Sequence, residues 1–72
     1  MNTKPVRSYT TKIQGCQFYL DIYEEDEEGN TYVIELCDEL DFLYYRDTFN
    51  TYEEAVAQFF VIEDDIYSYI WR

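Results

Sequence analysis

The chain has 72 residues and a formal net charge of −11, from 16 Asp and Glu against five Lys and Arg. Hydrophobic residues make up 47% and aromatic residues 21% of the chain, whereas charged disordered chains are poor in aromatic residues, so the composition predicts a folded protein. The length predicts a single domain over residues 1–72. The negative field repels DNA, RNA and anionic membranes and attracts basic protein surfaces, so we expect a protein partner and no direct contact with nucleic acid or membrane.

The residue types that common catalytic and metal sites need are scarce. The chain has no His, and its two Cys lack a CxxC spacing, which is evidence against a His-activated nucleophile and against structural zinc. No single carboxylate pair stands out for acid–base chemistry, so we expect no enzyme, no cofactor and no metal. The chain lacks a run of ~20 apolar residues and an apolar signal segment, so we expect a cytoplasmic protein with reduced thiols.

The first predicted element is a strand. Residues 1–5 are expected to be a loose lead-in, and residues 6–13 are β-branched and aromatic without a breaker. A short turn at Gln14 and Gly15 predicts antiparallel pairing with the next strand, which places Tyr9 near Leu20.

A β-hairpin follows. Residues 17–23 and 31–37 alternate apolar and polar side chains with period two, and the join between them is nearly all carboxylate with a Gly near its end. Together with the first strand, the arms predict a three-stranded antiparallel sheet over residues 6–37. One face should be apolar, formed by Phe18, Leu20, Ile22, Tyr32, Ile34 and Leu36.

The hairpin register is predicted from charge. We expect Leu20 opposite Ile34, because a shift by two residues would place Asp21 directly opposite Glu35, and facing like charges are unfavourable. Strand parity also places the two Cys side chains on opposite faces of the sheet, so a disulfide between them is not expected.

The rest of the chain predicts one helix after an irregular stretch. Residues 38–50 are expected to be a connection with some strand character, and residues 42–45 are either a fourth strand or a helical turn. Thr51 and Glu54 form a capping-box pattern, so a helix over residues 51–71 is expected, with a break near residues 63–65 and Asp64 as the cap of a second segment. Its apolar stripe consists of Ala55, Phe59, Ile62, Ile66 and Tyr69.

The predicted fold class is therefore α+β. It is an antiparallel sheet of three strands, or of four if residues 42–45 pair, covered on one face by the C-terminal helix.

The residues left outside this core predict a partner-binding surface. It comprises the helix-free face, the hairpin tip and the start of the connection: Tyr19, Asp21, Tyr23, Glu24, Glu25, Asp26, Glu27, Glu28, Glu35, Asp38, Glu39 and Asp41. Consecutive carboxylates in the tip approach the axial phosphate spacing of ~3.4 Å on one DNA strand. The Tyr rings between carboxylates can stack on Arg side chains or fill pockets that hold bases.

A calcium loop is the alternative interpretation of the tip. Glu24, Asp26, Glu28, Gly29 and Glu35 match positions 1, 3, 5, 6 and 12 of an EF-hand loop. Both flanks predict strands, whereas that loop lies between helices, so we do not predict a metal site here.

The combination of size, charge, Tyr content and sheet-plus-helix plan resembles the small acidic DNA-mimic inhibitors of bacteriophages. These include anti-CRISPR proteins and inhibitors of uracil-DNA glycosylase or restriction enzymes. The resemblance implies a non-enzymatic inhibitor that blocks the DNA- or RNA-binding cleft of a basic host defence protein, such as a CRISPR-Cas effector, in the host cytoplasm.

Residues 47–55 are also similar to the strand-to-helix join of AP2-type DNA-binding domains. The likeness supports the fold. The Arg and Trp residues with which those domains contact DNA are replaced here by acidic and Tyr side chains, so their binding role is not carried over.

Two other functions remain open. One is an antitoxin-like or regulatory interaction module, a homodimer included, that binds through an aromatic interface with Tyr44, Tyr45 or Trp71. The other is a structural protein whose charge serves solubility alone.

Overall fold

Four antiparallel strands in chain order form the sheet, and two helices follow them. The computed structural model describes residues 4–25 and 31–71. The elements are β1 (Arg7–Ile13), β2 (Cys16–Glu24), β3 (Tyr32–Asp38), β4 (Leu43–Phe49), α1 (Tyr52–Asp64) and α2 (Tyr67–Ile70). The predicted α+β class is confirmed, with four strands. No helix in the described ranges is long and apolar enough to cross a membrane.

The first hairpin has the predicted pairing. Tyr9 lies opposite Leu20, and Ile13 lies opposite Cys16. Gln14 and Gly15 form the turn with φ angles of 51° and 84°. Positive φ at both central residues is typical of two-residue hairpin turns, whose twist matches that of the strands.

The predicted register of the second hairpin is wrong by two residues. Leu20 pairs with Leu36 instead of Ile34, and Ile34 pairs with Ile22. A shift of two keeps the parity of every side chain, so these apolar residues still share one face, as predicted. All four are fully buried.

The charge argument for the other register fails because the two facing carboxylates have separate partners. Asp21 lies opposite Glu35. The Ser8 hydroxyl donates to Asp21 Oδ1 at 2.6 Å, and Arg46 Nε donates to Glu35 Oε2 at 3.3 Å. Both partners come from other strands, β1 and β4, which the hairpin alone does not contain.

β4 lies inside the stretch that was expected to be a connection. Its register shifts at a bulge between Leu36 and Cys37 of β3. At this bulge Tyr44 and Tyr45, although consecutive, both pack against the core. The strand therefore lacks the strict alternation by which strands are recognised in a sequence.

α1 covers the apolar face of the sheet, as predicted. The Thr51 hydroxyl accepts a hydrogen bond from the Glu54 backbone N–H at 3.2 Å, which confirms the predicted N-cap. The core between helix and sheet consists of Ile13, Phe18, Leu20, Ile22, Ile34, Leu36, Ala55, Phe59, Ile62, Ile66 and Ile70.

The helix breaks after Asp64, as predicted, but Asp64 does not cap α2. Ile66 occupies the N-cap position and makes no side-chain capping bond. Its side chain is buried, so packing rather than capping sets this turn. The carboxylate of Asp65 accepts a hydrogen bond from the Ser68 hydroxyl.

Adjacent phenylalanines provide a test of this packing. Phe59→Ala should lower the free energy of unfolding by about 3–5 kcal/mol, because the ring is 2% exposed at the centre of the core. Phe60→Ala is the matched control and should cost about 1 kcal/mol or less, because that ring is 48% exposed. Urea denaturation followed by circular dichroism measures both, and equal losses would contradict the packing described.

Candidate partner-binding site

A row of alternating tyrosines and carboxylates runs along the helix-free face of the sheet. Tyr19, Asp21 and Tyr23 are odd positions of β2, and the even positions between and beside them, Phe18, Leu20 and Ile22, are buried on the other face. Glu25 continues the row just past the strand, where its backbone N–H donates to the Thr31 carbonyl at 2.8 Å. Alternate residues of a strand lie ~6.6 Å apart, so ring and charge succeed one another at about that interval. We call these four residues the Tyr–carboxylate row.

Neutral donors hold the central carboxylate of the row. Ser8 donates to Asp21 Oδ1, and the Tyr23 hydroxyl donates to Asp21 Oδ2 at 3.3 Å. Burial, and then the neighbouring Asp21 carboxylate, raise the pKa of Tyr23, so its hydroxyl remains a donor at neutral pH. These bonds fix the carboxylate in place without adding positive charge.

Arg46 reduces the negative charge of this face. It lies opposite Glu35 in the β3–β4 pairing. Its guanidinium is 3.3 Å from Glu35 and 3.8 Å from Glu25, with 46% of its side chain exposed. Exposed ion pairs contribute ~0–1 kcal/mol to stability. Three carboxylates, including that of Asp21, against one guanidinium leave this part of the face with a negative excess of two.

Cys37 lies on the same face, opposite Tyr19, and is a free thiol. Burial, and then the carboxylate of Glu35, raise the pKa of Cys37. The thiol is therefore protonated at neutral pH, and a protonated thiol is a poor nucleophile. Cys16 is also free, and its even position on β2 places it on the opposite face.

The Asp38 carboxylate closes the turn between β3 and β4. Its Oδ1 accepts from the backbone N–H groups of Leu40 at 2.9 Å and Phe42 at 3.0 Å, and its Oδ2 accepts from the Tyr44 hydroxyl at 3.0 Å. The bond from Phe42, helped by those from Leu40 and Tyr44, lowers the pKa of Asp38 against an opposing effect of desolvation. Asp38 therefore has a structural function in this turn.

Two further acids lie beside Asp38. Glu39 Oε1 accepts from the Gln17 backbone N–H at 3.1 Å, and Asp41 is exposed in the turn with a φ of 66°. β3 runs its full length between this turn and the hairpin tip, a distance of ~20 Å. The acids of the turn and the described acids Glu24 and Glu25 therefore lie at opposite ends of the sheet.

The structure thus divides the predicted partner-binding residues into three groups. The Tyr–carboxylate row and Glu35 share the helix-free face, and the acids of the β3–β4 turn lie at its far end. Glu24 is exposed near the tip, but it pairs with Tyr32, whose side of the sheet faces the helix. Residues 26–28 lie outside the described residues.

The calcium alternative falls largely in the same undescribed stretch, residues 26–30. Within residues 4–25 and 31–71, no three His, Cys, Asp or Glu side chains are grouped so that they could hold a metal ion.

Two side chains at this face were not predicted from the sequence. Ser8 and Arg46 reach it from the two outer strands, and each contacts one of the facing carboxylates. A signal for Arg46 exists, because it is the one Lys or Arg between Ile13 and Trp71. Its contact with Glu35 follows only when the register of β4 is known.

No protein-family model, curated protein or solved structure matches the chain. The chemistry of the helix-free face and its ends is therefore the basis on which a function is proposed.

The lowered pKa of Asp38 predicts a pH dependence. Because the folded pKa lies below the ordinary value of 3.8, the stabilising effect of the carboxylate is present above that value and is lost as the pH falls through the folded pKa. The difference in unfolding free energy between wild type and Asp38→Asn should therefore be largest above about pH 5 and shrink below about pH 4.

Urea denaturation at a series of pH values measures this difference. Tyr44→Phe is the control, because it removes one of the three donors to Asp38. Stability should still fall as the pH drops in this variant, but by less than in the wild type. A penalty for Asp38→Asn that stayed constant from neutral to acid pH would show that the charge of Asp38 has no part in closing the turn.

Proposed function

We propose that this chain is a non-enzymatic inhibitor that occupies the nucleic-acid cleft of a basic DNA- or RNA-binding protein. The observation that carries the proposal is the Tyr–carboxylate row, an alternation of rings and negative charges on the sheet face opposite α1. The second carboxylate beside Asp21, that of Glu35, strengthens the charge at the centre of the row.

The mechanism is competition. Lys and Arg side chains that normally contact phosphates would pair with the carboxylates of the row. The rings of Tyr19 and Tyr23 would stack on guanidinium planes or enter the spaces that bases occupy. The net charge of −11 would accelerate association and make binding sensitive to salt.

In this proposal the target is a bacterial defence protein, such as a CRISPR-Cas effector, and inhibition takes place in the host cytoplasm. The resemblance in size, charge and Tyr content to the bacteriophage DNA-mimic inhibitors supports this choice. A cleft that binds long nucleic acids also supplies the extended basic surface that the row and the acids of the β3–β4 turn would match.

An apolar interaction surface at the β3–β4 turn is the second candidate. Leu40 is 84% exposed and Phe42 is 60% exposed there. Tyr44 and Tyr45, two residues of the predicted aromatic interface, pack against the core instead, whereas Trp71 is 56% exposed. A regulatory module would therefore use the turn and Trp71 in place of the two tyrosines.

Charge changes on the row and at its neighbours on the helix-free face test the proposal. In a competition assay that measures displacement of labelled DNA and RNA from a panel of purified Cas effectors, Asp21→Asn with Glu35→Gln should weaken inhibition by about tenfold or more. Arg46→Gln should strengthen it by about threefold, because it increases the negative excess of the same face. Both effects should shrink as salt rises from about 0.05 M to about 0.5 M.

Glu53→Gln with Glu54→Gln is the matched control, because it removes the same net charge from the first turn of α1. It should change inhibition much less than the double change of Asp21 and Glu35. Inhibition that is insensitive to salt, or a complex that still binds DNA and RNA normally, would sink the proposal. Loss of binding in Phe42→Ser with no effect of the row variants would favour the apolar interface.

A further inference from the structure

α1 has a second apolar side, on its exposed surface and outside the core. Phe60 and Val61 are 48% and 52% exposed, and Ala57 is exposed one turn earlier. Residues three and four apart lie on the same side of a helix, so these three form a continuous patch. We call Ala57, Phe60 and Val61 the outer stripe.

Carboxylates flank the outer stripe at both ends. Glu53 and Glu54 lie about one turn before it, and Glu63 and Asp64 lie just after it. At a rise of 1.5 Å per residue, the charged ends are ~15 Å apart. α1 itself contains no Lys or Arg, so the surface is apolar in the middle and negative at both ends.

A groove adjoins the outer stripe. It lies between β1 and α1 and is lined by Tyr9, Phe60, Val61, Glu63 and Asp64. The groove is shallow and open to solvent, and two of its lining residues, Glu63 and Asp64, are carboxylates.

The chain itself already places a cation on this aromatic surface. The Arg7 guanidinium carbon is 4.8 Å from the centroid of the Phe60 ring and 5.3 Å from that of Phe59. Both distances are within the range of favourable cation–π contacts. Arg7 therefore already lies beside the Phe60 ring, and the exposed part of that ring together with Val61 is the surface left for an apolar contact with a partner.

We propose that the outer stripe and its groove bind a basic amphipathic helix of another protein. The apolar centre of that helix packs on Phe60 and Val61, and Lys or Arg residues about ten positions apart pair with the two acidic ends of α1. A second copy of this chain does not fit, because each copy carries −11 and acids would face acids. The surface lies across the molecule from the Tyr–carboxylate row, so the proposal stands without the proposed function.

Two synthetic helical peptides of about 15 residues (~1.5 Å rise each) test the proposal by ¹⁵N NMR titration. The first has Lys near both ends and Leu on one side of its centre, and the second has Gln in place of each Leu. The Leu peptide should bind at least about tenfold more tightly and shift the amides of residues 57–64 and Tyr9. Equal affinity for the two peptides, or shifts confined to the hairpin tip or the row, would overturn the proposal.

Variants locate the contact. Phe60→Ser should weaken binding of the Leu peptide about tenfold or more, as loss of a central apolar anchor does. Glu63→Gln with Asp64→Asn should weaken it at about 0.05 M salt and have little effect at about 0.5 M. Circular dichroism checks that each variant is folded.

Leu40→Ser is the control for the other exposed apolar surface, the β3–β4 turn, and should leave peptide binding unchanged. If Leu40→Ser weakened binding and Phe60→Ser did not, the peptide would bind the turn and the proposal would be wrong. Competition with nucleic acid is tested by the variants of Asp21 and Glu35, which lie on the other face of the sheet. Failure of the helix-binding proposal is therefore distinguishable from failure of the inhibitor proposal.

Discussion

Burial of one face of the β2–β3 hairpin under α1 is the constraint on which the rest of the structure depends. Leu20, Ile22, Ile34 and Leu36 are fully buried, and the Phe59 ring of α1 packs in the same core. A domain of this size buries only roughly 60% of its unfolded surface, so it has little apolar area to lose. Once the even positions of β2 are committed to the core, its odd positions must form the opposite face.

This constraint explains which parts of the fold were predictable. Alternation with period two identifies the hairpin arms and their buried sides, and the Thr51 capping pattern identifies the start of α1. The hairpin register was not predictable in the same way, because a shift by two residues leaves every side chain on its own side. The predicted register was chosen to keep Asp21 from lying opposite Glu35. In the structure they do lie opposite each other, and their partners, which the hairpin alone does not contain, come from β1 and β4.

β4 shows a different limit of sequence reasoning. The bulge between Leu36 and Cys37 allows Tyr44 and Tyr45 to pack on the same core, so alternation disappears where the strand begins. The structural function of Asp38 was equally hidden, because its donors belong to a turn that exists only when β3 and β4 pair. For the candidate site, parity predicted that Tyr19, Asp21, Tyr23 and Glu35 lie on the helix-free face. It did not predict the contacts made by Ser8 and Arg46.

The hydrogen bonds of the carboxylates bear on why the chain tolerates its charge. A net charge of −11 opposes folding by self-repulsion, and a role in solubility alone would be served by carboxylates that move freely in solvent. Asp21 and Asp38 instead accept bonds from neutral hydroxyl and backbone donors, which fix their positions and leave their charge in place. Fixing a charge before binding lowers the entropy lost when a partner binds. Under the proposed function this fixing matters most at Asp21, which lies between Tyr19 and Tyr23, whereas at Asp38 it serves the turn itself.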